Sequence, residues 1–382
     1  MSSPSLATIL DPATIRAQTA KIYARTKAGG TAFALDESAL PACIDFVMQV
    51  TNRNYPDGKI PFHGRAEHLR AGGVDRMALK VSEPLERARA LVDLVMVSVL
   101  LDAGAGNDWK YVENGVTYTR SEGLAVASAA MFHAGAFGAG RVDAAGLERV
   151  TVAQLEKAFQ VSASNPLLAV EGRVALLNRL AVSLRAYPEL FPGARPGGMV
   201  DVLLARGKVT ATALLQHLLI GLSRMWPARA TIEGVGFGDV WQVEGELVPF
   251  HKLSQWLTYS LIEPVESAGV KVEGVDQLTG LPEYRNGGLF LDFGVLTLRD
   301  ASLARLELEA SHPAIIEWRA LTVQLLDRVG AEVQRRLGKT SAELPLARVL
   351  QGGTWSAGRE IAKQKRAGGV PPLTLKSDGM VF

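Results

Sequence analysis

The sequence predicts a mainly α protein with one or two small β-hairpins. It reads as a single large domain over residues 1–382, with residues 191–198 as the place where two lobes would divide. Three observations carry this. Apolar residues recur at helical spacing through most of the chain. The periodic segments open on Asp-Pro or Ser-Glu-Pro and close on glycines, the start and stop chemistry of helices. Strands and helices nowhere alternate in the manner of an α/β chain. With 382 residues and 48% hydrophobic content, the chain can bury a large core.

Taken in order, Asp11 followed by Pro12 opens the first helix as N-cap and first helical residue, and Gly29-Gly30 closes it. Ile44, Phe46, Val47 and Val50 give a second helix its core face. Residues 61–70 then combine His63, Arg65, His68 and Arg70 with a glycine. These side chains suit a phosphate clamp made of charge-assisted hydrogen bonds, or else a plain basic loop. His63 and His68 share no helical face, which disfavours a metal.

Ser82-Glu83-Pro84 starts a long buried helix running to Asp102 and stopped by Gly104-Ala105-Gly106. Residues 109–120 follow as a hairpin, with Asn114-Gly115 supplying the two positive-φ positions of a type I′ turn. Asp108, Trp109 and Tyr118 could stack on and hydrogen-bond a planar base or urea-like group; the alternative is that Trp109 caps the core. Helical spacing resumes over residues 143–186, with Pro166 and Pro188 as breaks, and again over 199–226. Gly234, Gly236 and Gly238 do not sit between a strand and a helix, which argues against a dinucleotide site, and residues 241–248 read as a second hairpin. Asp239, beside Trp241, is a secondary carboxylate candidate. Residues 301–338 read as charged, peripheral helical scaffold, and the tail ending Met380-Val381-Phe382 as one that docks back on the fold.

Composition narrows the function classes. Forty-one Lys and Arg against 39 Asp and Glu leave a formal charge of +2, so no global field marks a nucleic-acid or membrane binder. Cys43 is the single cysteine, which excludes an intramolecular disulfide and a Cys-rich metal site and suits a reducing, cytoplasmic setting. The longest apolar run, residues 91–101, is too short for a bilayer and is interrupted by Asp93. The start of the chain lacks the pattern of a secretory signal, although Arg16, Lys21, Arg25 and Lys27 faintly suggest a transit peptide.

The chemistry concentrates in residues 248–296. His251, Lys252, Gln255, Tyr259 and Glu263 recur at helical spacing opposite Leu253, Trp256, Leu257 and Leu261, so one helix would present a polar stripe to a cavity. Pro282 then suits a first helical turn and Asn286-Gly287-Gly288 punctuates the chain, which puts Glu283 and Arg285 at a shaped junction. An ion pair on a solvated helix end is the plain alternative.

The run His251-Lys252-Leu253-Ser254-Gln255 followed by Pro282-Glu283-Tyr284-Arg285 resembles the Tyr-Lys-Arg-Ala-Gln and Ala-Asp-Tyr-Arg motifs of the queuosine salvage nucleotide N-glycosidases. Those enzymes are helical relatives of the helix-hairpin-helix DNA glycosylases, and they too carry a tryptophan-bearing hairpin. This resemblance implies a helix-hairpin-helix, glycosylase-like fold. It departs at Glu283, where the motif has Asp, and at Ser260, where the glycosidases carry a further Asp. The His63-Gly64-Arg65 loop, the Trp109 hairpin, Glu283-Tyr284-Arg285, Gly352-Gly353-Thr354-Trp355 with Gly358-Arg359-Glu360, and Ser377-Asp378-Gly379 together resemble a second group. That group is the uncharacterised-domain family of the fungal and bacterial non-reductive uracil catabolism pathway, in which uracil becomes a nucleotide, the ring is opened and urea is released.

The two resemblances together imply hydrolysis of an N-ribosidic bond in a small phosphorylated, nucleoside-like substrate such as a ribosylurea phosphate, with no metal or redox cofactor. Glu283 would stabilise an oxocarbenium-like centre and position water, with Asp239 as a second acid. Lys252 and Arg285 would hold phosphate or ribose oxygens, while Tyr284, Trp109 and Asp108 would frame the leaving group. His251, Gln255, His63 and Arg65 complete the set of substrate-binding candidates. The competing expectations are an amidohydrolase acting on the opened pyrimidine and a non-catalytic helix-hairpin-helix module binding nucleic acid, the latter disfavoured by the near-neutral charge.

Overall fold

The computed structural model describes residues 5–102, 104–106 and 108–376. The protein is mainly α, its strands pairing in two-stranded sheets beside one isolated bridge, Ser162 with Asn165. Contacts gather it into two units, one drawn from residues 1–63, 228–256 and 274–382 and the other from 64–227 and 257–273. The divisions therefore do not fall at residues 191–198, which lie inside the second unit. The reason is a buried anchor: Asp93 accepts hydrogen bonds from Arg195 Nε at 2.7 Å and Gly197 N at 2.7 Å, tying this Pro-Gly stretch to the helix Pro84–Leu100.

In the first unit, the helix Pro12–Lys27 begins where Asp11 accepts from Ala13 N at 2.9 Å. Its Ile15 and Ile22 enter a core with Trp241, Val248, Phe250, Ile316, Ala320 and Val323. The last three, Ile316, Ala320 and Val323, lie on the helix Pro313–Leu337, so the segment expected to be peripheral is instead central, its Trp318, Arg319 and Leu325 all buried. Arg16, Arg25 and Lys27 pair with Asp327, Glu244 and Glu37, which accounts for the basic character of the first helix within the fold.

Two hairpins stand side by side in sequence, Ala230–Ile232 with Val235–Phe237 and Val240–Val243 with Glu246–Pro249. Both turn through Glu-Gly pairs, Glu233-Gly234 and Glu244-Gly245, whose φ angles are all positive. The second was expected. The first was not, because Gly234, Gly236 and Gly238 break the alternation of side chains that marked the second as a pair of strands.

The helix Tyr284–Asp292 runs straight through Asn286-Gly287-Gly288, which was expected to punctuate the chain. Its glycines serve packing: a Cβ on Gly287 would stand 2.7 Å from the Trp318 indole. Helices that cross this closely need a residue without a side chain.

In the second unit, the hairpin Lys110–Glu113 with Val116–Thr119 forms as expected, with Asn114 at φ 50° and Gly115 at φ 78°. It leads into the helix Arg120–His133, which packs against the helix Pro84–Leu100, and the helices Val170–Ala186 and Ala211–Gly221 follow in the same unit. No helix among the described residues is long and apolar enough to cross a membrane. Ser377-Asp378-Gly379 and Met380-Val381-Phe382 lie outside the described residues.

Candidate functional site

The first unit assembles a cluster around Glu283. This residue caps the helix Tyr284–Asp292, accepting from Arg285 N at 2.7 Å and Asn286 N at 2.6 Å, so its carboxylate sits at the positive end of a helix. It is 7% exposed. Burial raises its proton affinity, opposed by those two amides and by the charge of Lys252. Arg285 donates to Gly369 O at 2.6 Å and lies 4.8 Å over the half-buried Tyr284 ring, which fixes its guanidinium, whose charge is a lesser influence on the capped carboxylate.

His63 joins the same cluster. Its Nδ1 meets Gln351 Oε1 at 2.9 Å and its ring lies 5.6 Å from that of Trp355. Burial, offset in part by the Gln351 bond and reinforced by the charge of Lys252, brings its pKa down to about 4. Lys252 therefore lies within electrostatic reach of both His63 and Glu283.

Asp239 is held differently. Both its oxygens take Arg319, at 2.7 and 2.9 Å, and it also accepts from Trp241 Nε1 at 2.8 Å and Lys252 N at 2.9 Å. Burial would raise its pKa, but Arg319 and these donors outweigh it and bring the value down to about 2. A carboxylate so paired remains an anion and has no proton to give near neutrality. Its evident work is to position Arg319, which also lies 4.1 Å over Phe250, and the first turn of the helix Lys252–Glu266.

The polar stripe of that helix turns largely inward. Gln255 is fully buried, donating to Phe250 O at 3.0 Å and Thr279 Oγ1 at 2.7 Å and accepting from Thr279 N at 2.9 Å. His251, just before the helix, meets Ile9 O at 3.0 Å and packs on Phe237. Gln255 has both ends of its amide bonded to protein, and His251 is buried with one ring nitrogen on a main-chain carbonyl, so the structure gives both scaffold positions.

Three further candidates belong to the second unit. Trp109 is fully buried, its indole N–H donating to Phe159 O at 2.9 Å, with Tyr111 and Phe159 against its faces. It caps the core, the alternative weighed from sequence, and offers no face for stacking. Asp108 is exposed beside it. Arg65 is also fully buried, bonded to Ser98 Oγ at 2.8 Å and Ser121 O at 3.2 Å and paired with Asp102 at 2.9 Å. The expected phosphate clamp thus separates: His63 faces the Glu283 cluster's electrostatics, while the charge of Arg65 is neutralised inside the second unit.

Sequence reasoning missed Arg319, Gln351 and Tyr55, and met Trp355 only as part of a motif. Arg319 had no local signature. Gln351 did, since it immediately precedes the pair Gly352-Gly353, and paired glycines mark a close approach of backbone.

Residues 8–382 match the family described as "Protein of unknown function (DUF1688)". The chain belongs to that family. It is 40% identical over its whole length to the whole of "Protein urg3" from Schizosaccharomyces pombe. It is 38% identical to "Uracil catabolism protein 4" from Lachancea kluyveri, with 92% of each chain covered. The family match spans both units and every candidate residue discussed above.

Proposed function

We propose that this chain acts in uracil catabolism and hydrolyses the N-ribosidic bond of a phosphorylated, ribosylurea-like intermediate, releasing urea and ribose 5-phosphate. The pathway follows the printed name of the Lachancea kluyveri relative. The observation that carries the reaction is Glu283: a buried carboxylate at a helix mouth that accepts from two main-chain amides and feels the charge of Lys252. In the proposed step the C1′–N bond breaks, the oxygen of water bonds C1′, one water proton remains on that new hydroxyl, and the other ends on the departing urea nitrogen. Glu283 stabilises the positive charge that develops at C1′, takes from water the proton that does not stay on the new hydroxyl, and passes it to the departing urea nitrogen, which returns the carboxylate to its starting state. Lys252 and Arg285 hold the phosphate, with Tyr284 against the leaving group. Asp239 positions this machinery through Arg319 and the amide of Lys252 and takes no proton itself.

The test is to incubate the purified protein with ribosylurea 5-phosphate and, separately, with uridine monophosphate, assaying urea and ribose 5-phosphate. Release of both from the first substrate is expected. Neither product from it would overturn the reading, and ammonia without ribose 5-phosphate would replace it with amide hydrolysis of the opened pyrimidine.

A further inference from the structure

The motif Gln351-Gly352-Gly353-Thr354-Trp355 has a structural job that the reaction above does not use. Residues Leu350–Thr354 form a π-helical turn between the helices Leu346–Val349 and Trp355–Lys365. Wide turns of this kind are rare and re-aim side chains, often at functional sites. Here the glycine pair lets the turn press on the helix Leu40–Asn54: a Cβ on Gly353 would stand 2.4 Å from Thr51 Oγ1 and 2.6 Å from Val47 Cγ1. The close approach brings Gln351 to Tyr55, the C-cap of that helix, so that Gln351 Nε2 donates to Tyr55 Oη at 3.0 Å.

With its nitrogen turned to Tyr55, the amide presents Oε1 to His63, whose Nδ1 lies 2.9 Å away. An amide oxygen only accepts, so with Gln351 in this orientation Nδ1 carries the proton. His63 is further fixed by its own N–H donating to Ala347 O at 2.8 Å and by the Trp355 ring. No protein group among the described residues bonds its Nε2.

We propose that Gln351, oriented by Tyr55, is a positioning residue that fixes the tautomer of His63 so that its Nε2 lone pair takes a hydrogen from a neutral donor on the bound ligand. The suppressed basicity of His63 beside Lys252 agrees with this, because an imidazolium would have no lone pair to offer. On the reading that the His63–Lys252–Glu283 cluster is the substrate site, two parts of the ligand have that chemistry: a ribose hydroxyl and the amide N–H of urea.

The test reads the histidine directly in full-length, ligand-free protein, so it stands whether or not ribosylurea phosphate is turned over. Nitrogen-15 resonances of His63 near neutral pH should show Nδ1 protonated and Nε2 bare. Gln351→Met should shift them toward a mixture of tautomers, and Tyr55→Phe, a milder change that keeps the fold if the first does not, should shift them the same way. Ribose 5-phosphate and urea are then titrated in turn; the one that moves the Nε2 resonance identifies the donor, and its affinity should fall about tenfold in Gln351→Met, the worth of roughly one hydrogen bond. A protonated Nε2 in the unaltered protein, tautomers unchanged in both variants, or an Nε2 resonance indifferent to both ligands would overturn the proposal. Absence of hydrolysis with these shifts intact would overturn the reaction and leave the positioning role standing.

Discussion

The surroundings of Asp239 and the helix mouth at Glu283 solve one problem, a carboxylate withdrawn from water, in opposite ways. Asp239 meets a guanidinium on both oxygens and two further donors, and its charge becomes more favourable than in solution. Glu283 meets two main-chain amides and the more distant charges of Lys252 and Arg285, and burial wins. Burial alone therefore does not mark a functional acid; the balance between desolvation and counter-charge does. An anion that is fully compensated holds structure together. One left under-compensated can answer to a positive charge arriving with a transition state.

The sharpest way to break this contrast is to remove the compensation. Arg319→Met leaves Asp239 largely buried, at 13% side-chain exposure, with its guanidinium gone. Loss of one partner from such a pair costs about 3–5 kcal/mol, because the remaining charge is stranded. Denaturant midpoints should register this, and Arg319→Met combined with Asp239→Leu should recover a large part of it. A loss under about 1 kcal/mol in the single variant would mean that water already solvates Asp239.

At Glu283 the same experiment should move rate rather than stability. Glu283→Gln keeps an oxygen to accept from Arg285 N or Asn286 N but abolishes the charge, so turnover of ribosylurea 5-phosphate should fall about a hundredfold or more while substrate affinity changes little. The melting temperature should stay close to that of the unaltered protein. Near-normal turnover with reduced stability would make Glu283 a helix cap and nothing more.

The contrast between the two acids was invisible in the sequence, and the reason is distance along the chain. Features that depend on neighbours were legible: Asp11-Pro12 and Glu83-Pro84 as helix starts, and Asn114-Gly115 as a type I′ turn. Asp239 and Glu283 differ through Arg319, which lies 80 residues beyond the first. Arg65 and Trp109 looked like binding groups because their residue types are; their burial depends on Asp102 and Phe159, brought in by tertiary packing. The glycines of the helix Tyr284–Asp292 read as a stop because their need, a tryptophan crossing at Gly287, comes from another segment. The family's motifs were legible as patterns, whereas which of their residues face one another was not.

The smallest of these effects is the acid limb of stability, where the two carboxylates should pull in opposite directions. Asp239 has its folded pKa depressed from 3.8 to about 2. Its contribution is present above the unfolded value and is lost as pH falls through the folded one, a window from roughly 4 down to 2 worth about 2 kcal/mol. Glu283 has its folded pKa raised above 4.5, so its charge is a cost at neutral pH that disappears as pH falls toward 4.5. Denaturant midpoints measured from pH 7 downward should therefore hold up or rise slightly before dropping. Asp239→Asn should flatten the lowest part of that drop, and Glu283→Gln should remove the earlier rise while leaving the drop in place. If both variants altered the same pH range with the same sign, the two carboxylates would share one environment, and the division of labour between them would be wrong.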